Sequence, residues 1–331
     1  MALAVFRSTF IAALVALAVG ACASTERTDR ARADFELAQQ CIDAKELEPC
    51  VEVCQRNIAS GCFELGVMSR DGRAKQVKDG KKALERFDQA CTLGDPTGCV
   101  EAGIVVERGI DVPPDPTRAL RYYDAACKKA QPSGCANLGL AYQLGDIVPK
   151  DEIRASQLYQ QACVGGDPSG CSHLAYLLQW GLGVSRNDKR ARELYEDACK
   201  RGQEQACGNW AVMLLAGRGG PKDEAMAHRQ FQRLCAGGAQ EACSNEGVLY
   251  ESGTGVTRDL ERARKLFEDA CESGQLEACM GLGRMHETGA GAPLDLKIAA
   301  RLYRRGCLAK DTDACARWER VKRALEANSP D

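Results

Sequence analysis

Aromatic residues make up only 5% of this 331-residue chain, and it holds just three histidines and 11 prolines. With so few rings, core volume must come mainly from Leu, Ala and Val, and any aromatic that recurs at fixed spacing carries weight. His173, His228 and His286 are too few to complete several zinc sites. Paired C-x-x-C runs, H-x-x-x-H and H-E-x-x-H are all missing, so no metal site is read from the sequence. Lys plus Arg number 44 against 46 Asp plus Glu, which gives no electrostatic reason to expect a nucleic-acid partner. Beyond the N-terminus no run is apolar enough to cross a bilayer.

Cysteine is abundant instead, with 19 residues beside 33 glycines. So many thiols in a chain without zinc motifs point to an oxidising compartment. The N-terminus agrees. Arg7 precedes an apolar run from Phe10 to Val19, too short to span a membrane comfortably and ending in small residues, as a signal peptide does. Val19-Gly20-Ala21-Cys22 resembles a bacterial lipobox, in which Cys22 is acylated and becomes the first mature residue. Ordinary cleavage after Ala21-Cys22-Ala23 is the alternative, and would give a secreted protein. Residues 1–21 are thus read as a lipoprotein signal peptide and 22–33 as a polar tether.

The rest repeats every 36 residues. Cys91, Cys127, Cys163, Cys199, Cys235, Cys271 and Cys307 recur without a slip, each with a partner eight positions later. Phe87, Tyr123, Tyr159, Tyr195, Phe231, Phe267 and Tyr303 form an aromatic column, and an alanine stands four residues before each, on the same helical face. Asp79, Asp115, Asp151, Asn187, Asp223, Asp259 and Asp295 lie four earlier again, where an Asx side chain caps a helix. Gly72, Gly109, Gly145, Gly181, Gly217, Gly253 and Gly289 fall where a left-handed residue ends the preceding helix. Gly66, Gly103, Gly139, Ala175, Ala211, Gly247 and Gly283 keep one further column small, which predicts a close crossing of helix backbones. Each repeat therefore reads as helix, glycine turn, Asx cap, second helix, cysteine, turn, cysteine. The expected fold is all-α, an α/α solenoid wound as a right-handed superhelix. It has capping helices over 34–61, seven repeats over 62–311, and a C-terminal capping helix and tail over 312–331.

A turn between antiparallel helices brings cysteines eight apart within disulfide reach. The expected bonds are Cys41–Cys50, Cys54–Cys62, Cys91–Cys99, Cys127–Cys135, Cys163–Cys171, Cys199–Cys207, Cys235–Cys243, Cys271–Cys279 and Cys307–Cys315. Each closes a small loop and contributes about 2–3 kcal/mol on the chain-entropy argument. The aromatic column reads as core rather than as a stacking platform. The G-x-G pieces at Gly181, Gly253 and Gly289 lack a preceding strand and a third glycine, and read as turns. Trp210 falls in a leucine column and is expected to be packed, and His286 stands in a tyrosine column. Trp180, directly before the turn at Gly181, is the candidate binding anchor.

Leu138-Gly139-Leu140-Ala141-Tyr142, with Gly181-Leu182-Gly183-Val184 after the matching helix, carries the pattern L-G-x-x-Y-x-x-G. This resembles the Sel-one-like repeat, a relative of the tetratricopeptide repeat. With cysteines eight apart at every junction, the chain is also similar to the Helicobacter cysteine-rich protein family of secreted repeat proteins. The resemblance spans roughly Cys41 to Cys315 and weakens at Trp210, Leu214 and His286. It implies an adaptor that binds proteins and carries no cofactor. With the lipobox, the expected setting is the bacterial envelope, most naturally the outer membrane, and the membrane is met through the lipid anchor only. The expected partner is an envelope protein or peptide, or a peptidoglycan-related ligand. Relatives in the cysteine-rich family also carry a β-lactamase label, so β-lactam binding or weak hydrolysis is the alternative function. The residues supply no S-x-x-K, no K-T-G and no assignable catalytic group.

Overall fold

The computed structural model describes residues 32–42 and 47–327. Among these every regular element is a helix. The chain divides into two compact bodies, one ending at Gly165 and the other beginning at Gly166.

The first body holds α1 (32–42), α2 (Leu47–Gln55), α3 (Ala59–Asp71), α4 (Gly80–Thr92), α5 (Pro96–Arg108), α6 (Pro116–Lys128), α7 (Pro132–Leu144) and α8 (Glu152–Val164). The second holds α9 (Pro168–Trp180), α10 (Asp188–Lys200), α11 (Glu204–Ala216), α12 (Glu224–Ala236), α13 (Gln240–Ser252), α14 (Leu260–Glu272), α15 (Leu276–Thr288), α16 (Leu296–Leu308) and α17 (Thr312–Ala327). Within each body a helix packs chiefly against its neighbours in sequence, as in a stack of helical hairpins. The first repeat's opening helix begins at Ala59, ahead of the boundary read at 62, because Cys62 lies one turn inside α3.

The helix ends follow from side-chain chemistry. Asp79, Asp115, Asp151, Asn187, Asp223, Asp259 and Asp295 each accept a hydrogen bond from the backbone N–H three residues on. That satisfies one donor otherwise left unpaired in the first turn. The seven glycines of the predicted column all sit in the left-handed region after the first helix of each repeat, with φ between 65° and 78°. In the G-x-G turns the second glycine has a steric purpose. A Cβ on Gly255, at φ 68°, would lie 2.3 Å from the carbonyl oxygen of Glu224, at the start of the preceding repeat's second helix.

The aromatic column is core. Its seven rings are buried, and the alanines four residues earlier are fully covered. The small column meets these rings and not another helix backbone, which corrects the expected close crossing. A Cβ on Gly103 would stand 2.5 Å from Cε1 of Tyr123, and the same holds at Gly66 against Phe87 and Gly283 against Tyr303. The second helix sets its ring against the bare backbone of the first, so removing a side chain on one partner makes room for a large one on the other.

Disulfides link the end of one hairpin to the start of the next. Cys54–Cys62, Cys91–Cys99, Cys127–Cys135, Cys199–Cys207, Cys235–Cys243, Cys271–Cys279 and Cys307–Cys315 have Cα separations of 4.4 to 4.7 Å. Cys41–Cys50 joins α1 to α2 at 4.8 Å, and Cys163 and Cys171 are disulfide-bonded as well. The C-terminal helix α17 closes the second body by laying Ala314, Trp318 and Val321 over Met280, Ala299 and Tyr303. Cys22 and the whole signal segment lie outside the described residues. Among those described, no helix is long and apolar enough to cross a membrane.

Candidate functional site

Once capping, ring packing and stapling are subtracted, the exposed faces of the first helices are left over. In the second body Tyr176 on α9, Val212 on α11 and Val248 on α13 occupy the same place in successive repeats, 40%, 47% and 43% exposed. Trp180, one turn further along α9, is 56% exposed. Its ring lies 6.5 Å from that of Tyr176, and the Arg218 guanidinium stands 5.2 Å over it. Arg218 is held in turn by Asp188 at 3.0 Å and the Gln179 carbonyl at 3.1 Å. Arg186 and Arg218 together pull the Asp188 carboxyl down to about 2. Trp180 is thus an exposed ring with a cation held over one face. Single exposed apolar residues are unremarkable, but these three recur at one position of successive repeats.

Two grooves open beside these helices. In the first body a space of about 260 Å³ is lined by Pro116, Leu120, Leu140, Leu144 and Ile147, with Glu107 at its edge. In the second a space of about 140 Å³ lies between α11 and α13 over Phe231 and Leu234. Glu204, Asn209, Glu241 and Asn245 ring it.

The second body also buries a carboxylate. Glu246 is 3% exposed, at a position filled by Leu138, Leu174, Trp210 and Leu282 in other repeats. Its Oε1 is 3.8 Å from His228 Nε2 and 3.7 Å from Arg262, and Arg262 stacks over Tyr250 at 4.5 Å. Burial holds the Glu246 carboxyl above the usual range against the opposing pull of Arg262. Burial, then Arg262 and Arg229, hold His228 below it. Sequence reasoning missed Glu246, although its place in the leucine column was there to be read.

The other sequence candidates disperse. Trp210 is packed, with its Nε1 unpaired. His286 Nδ1 meets the Pro293 carbonyl at 2.9 Å, and His173 is held below its usual value by burial. Among the described residues no three His, Cys, Asp or Glu side chains gather as a metal site would require. Several tyrosine hydroxyls, unassigned from sequence, tie the hairpins together. Tyr123 donates to Glu107 at 2.8 Å, Tyr159 to Gln143 at 2.6 Å and Tyr303 to Glu287 at 2.7 Å. Each acceptor lies 16 residues before its tyrosine, a spacing that could have revealed them.

No curated protein matches the chain. The solved structure of c5321, titled a protective antigen of uropathogenic Escherichia coli with an SLR fold, superposes with a TM-score of 0.67 at 26% identity. The match covers 81% of this chain, which spans only 57% of that protein. A Sel1 repeat protein from Oxalobacter formigenes matches at 22% identity with a TM-score of 0.60, over 88% of this chain and 87% of that one. Helicobacter pylori cysteine rich protein B is 36% identical over 40% of this chain and 95% of its own, with a TM-score of 0.34. The Sel1 repeat model matches seven times, over 59–95, 96–130, 132–167, 168–203, 205–238, 240–275 and 276–311. The chain belongs to the Sel1 repeat family.

Proposed function

We propose that this protein is an exported, envelope-anchored scaffold that binds partner proteins through the exposed faces of its first helices and carries out no chemistry of its own. Sel1 repeat proteins generally mediate protein–protein interaction, and the present reading adds place and surface. The observation that carries it is the row Tyr176, Val212 and Val248 beside the exposed Trp180. No packing or capping requirement accounts for apolar residues there. Nine cysteine pairs fit an oxidising compartment, and acylation at Cys22 would tether the stack to a membrane.

The test changes Tyr176, Trp180 and Val212 together to serine in the full chain. Neighbours are then fixed with a cleavable crosslinker in the envelope, with Glu193, Arg229 and Lys265 of the second helices changed as a control. Loss of a specific crosslinked partner with the first set alone supports the reading. Equal retention by both sets, or release of the protein from membranes unaffected by Cys22→Ala, contradicts the corresponding half of it.

A further inference from the structure

Like the groove of the first body, which holds Glu107 and Asp146, the groove between α11 and α13 carries acids with no basic residue in its lining. Its lining holds two carboxylates, Glu204 and Glu241, and the amides of Gln205, Asn209 and Asn245, but no lysine or arginine. Three acids elsewhere on the first helices are already neutralised. Glu101 takes Arg70 at 2.6 Å, Glu251 takes Arg284 at 2.8 Å, and Glu287 takes Arg320 at 2.6 Å. Glu204 and Glu241 have no ion pair among the described residues. Both stand in the first turn of a helix, where the dipole favours an acid. That favours their presence but does not explain why no cation lines the groove between them.

A second observation is independent of charge. Gly208, in the middle of α11, also lines this groove. A Cβ there would find nothing nearer than Leu234 Cδ1 at 3.9 Å. Gly103 and Gly283 are bare because a ring presses on them, whereas Gly208 is bare with space above it. Glycine within a helix is destabilising relative to alanine, so packing gives no reason for it, while close approach of a ligand to the helix backbone does. The apolar floor of Phe231 and Leu234 and the exposed Val212 at the edge complete the site. At about 140 Å³ it has room for one side chain, well below the roughly 300–1,000 Å³ of small-molecule sites.

We infer that this groove receives a lysine or arginine side chain from an extended segment of a partner protein. The aliphatic stem lies over Val212, Phe231 and Leu234, as long basic side chains pack on apolar surface. The cation is neutralised by Glu204 and Glu241. The amides of Asn209 and Asn245 meet the peptide groups that an extended chain leaves unpaired. This rests on the protein-binding reading above and adds the charge of what is bound.

The experiment titrates the full chain with a fluorescent heptapeptide of alternating serine, leucine and lysine, and with counterparts carrying glutamine or glutamate for lysine. The lysine peptide should bind at least tenfold more tightly than the glutamine peptide at low salt. Glu204→Gln with Glu241→Gln should erase that preference. Gly208→Leu should abolish binding, while Gly208→Ala raises the melting temperature and so shows that the fold does not need glycine there. Equal binding of the lysine and glutamine peptides, or an unchanged preference in the double glutamine variant, overturns the inference. If the glutamine peptide binds as well and is lost with Tyr176, Trp180 and Val212, the protein-binding face stands and only its charge preference falls. If no peptide binds, the groove assignment falls while the crosslinking test still decides the scaffold reading.

Discussion

Removing one oxygen from each tyrosine of the aromatic column should give two opposite results. Tyr123, Tyr159 and Tyr303 donate to Glu107, Gln143 and Glu287. Burial pushes all three hydroxyls far above their usual pKa, so they remain donors at any working pH. A hydrogen bond to a neutral acceptor is worth about 0.5–1.5 kcal/mol and one to a charged acceptor about 1.5–3 kcal/mol. Tyr159→Phe should therefore cost about 1 kcal/mol. Tyr123→Phe should cost about 2 kcal/mol, and Tyr303→Phe somewhat less because Glu287 also pairs with Arg320. Tyr195 is just as buried, but its hydroxyl has no hydrogen-bond partner, with Asn209 bearing on it outside good geometry. An unsatisfied buried hydroxyl costs about 1–3 kcal/mol, so Tyr195→Phe should be neutral or stabilising by about 1 kcal/mol. Urea unfolding of the oxidised protein, followed by circular dichroism, reads these differences as shifts in midpoint at constant slope. Losses of equal size at Tyr195 and Tyr303 would refute the assignment of these bonds as the source of the difference.

Replacing Glu246 by leucine, the residue of its column, should stabilise the fold at neutral pH by about 1–4 kcal/mol, as buried ion pairs often do when made apolar. The folded pKa of Glu246 is raised, so its contribution is most favourable below the ordinary 4.5 and is lost as pH rises through the folded value; the gain from leucine should shrink in acid, and a pH-independent gain would count against burial as the cause. Gly103→Ala should cost about 1–3 kcal/mol by overpacking against Tyr123, and a stability increase in calorimetry would show that the ring yields. Changing Cys235 and Cys243 together to serine should cost about 2–3 kcal/mol, with faster hydrogen exchange confined to α12 and α13; uniform loosening of the whole second body would contradict a nearest-neighbour stack.

The columns that stood out in the sequence are those in which one residue type meets one local need at every repeat. An Asx at Asp115 caps α6, and Gly109 ends α5, through backbone geometry that involves only a few neighbours. The small column was harder, because glycine alone does not say whether a helix or a ring lies against it; the answer depends on where Tyr123 points. In the second body α11 and α13 each pack against a second helix on either side, so apolar residues run around most of their circumference. Val212 and Val248 therefore do not stand out by residue type, and only the packed structure separates them from Leu214 and Leu249. Glu246 escaped notice for the converse reason, since a single departure in a leucine column reads as drift until its burial beside His228 is seen.

The account turns on which face meets the partner, and a photocrosslinker placed at single positions in cells measures that directly. It should be introduced in turn at Tyr176, Val212 and Val248 on the first helices and at Glu193, Arg229 and Lys265 on the second, all of them exposed. Crosslinking to one partner from the first set, with yield recurring at 36-residue intervals and little from the second, is the expected result. Yield from the second set alone, or without any periodicity, would contradict a scaffold that binds through its first helices.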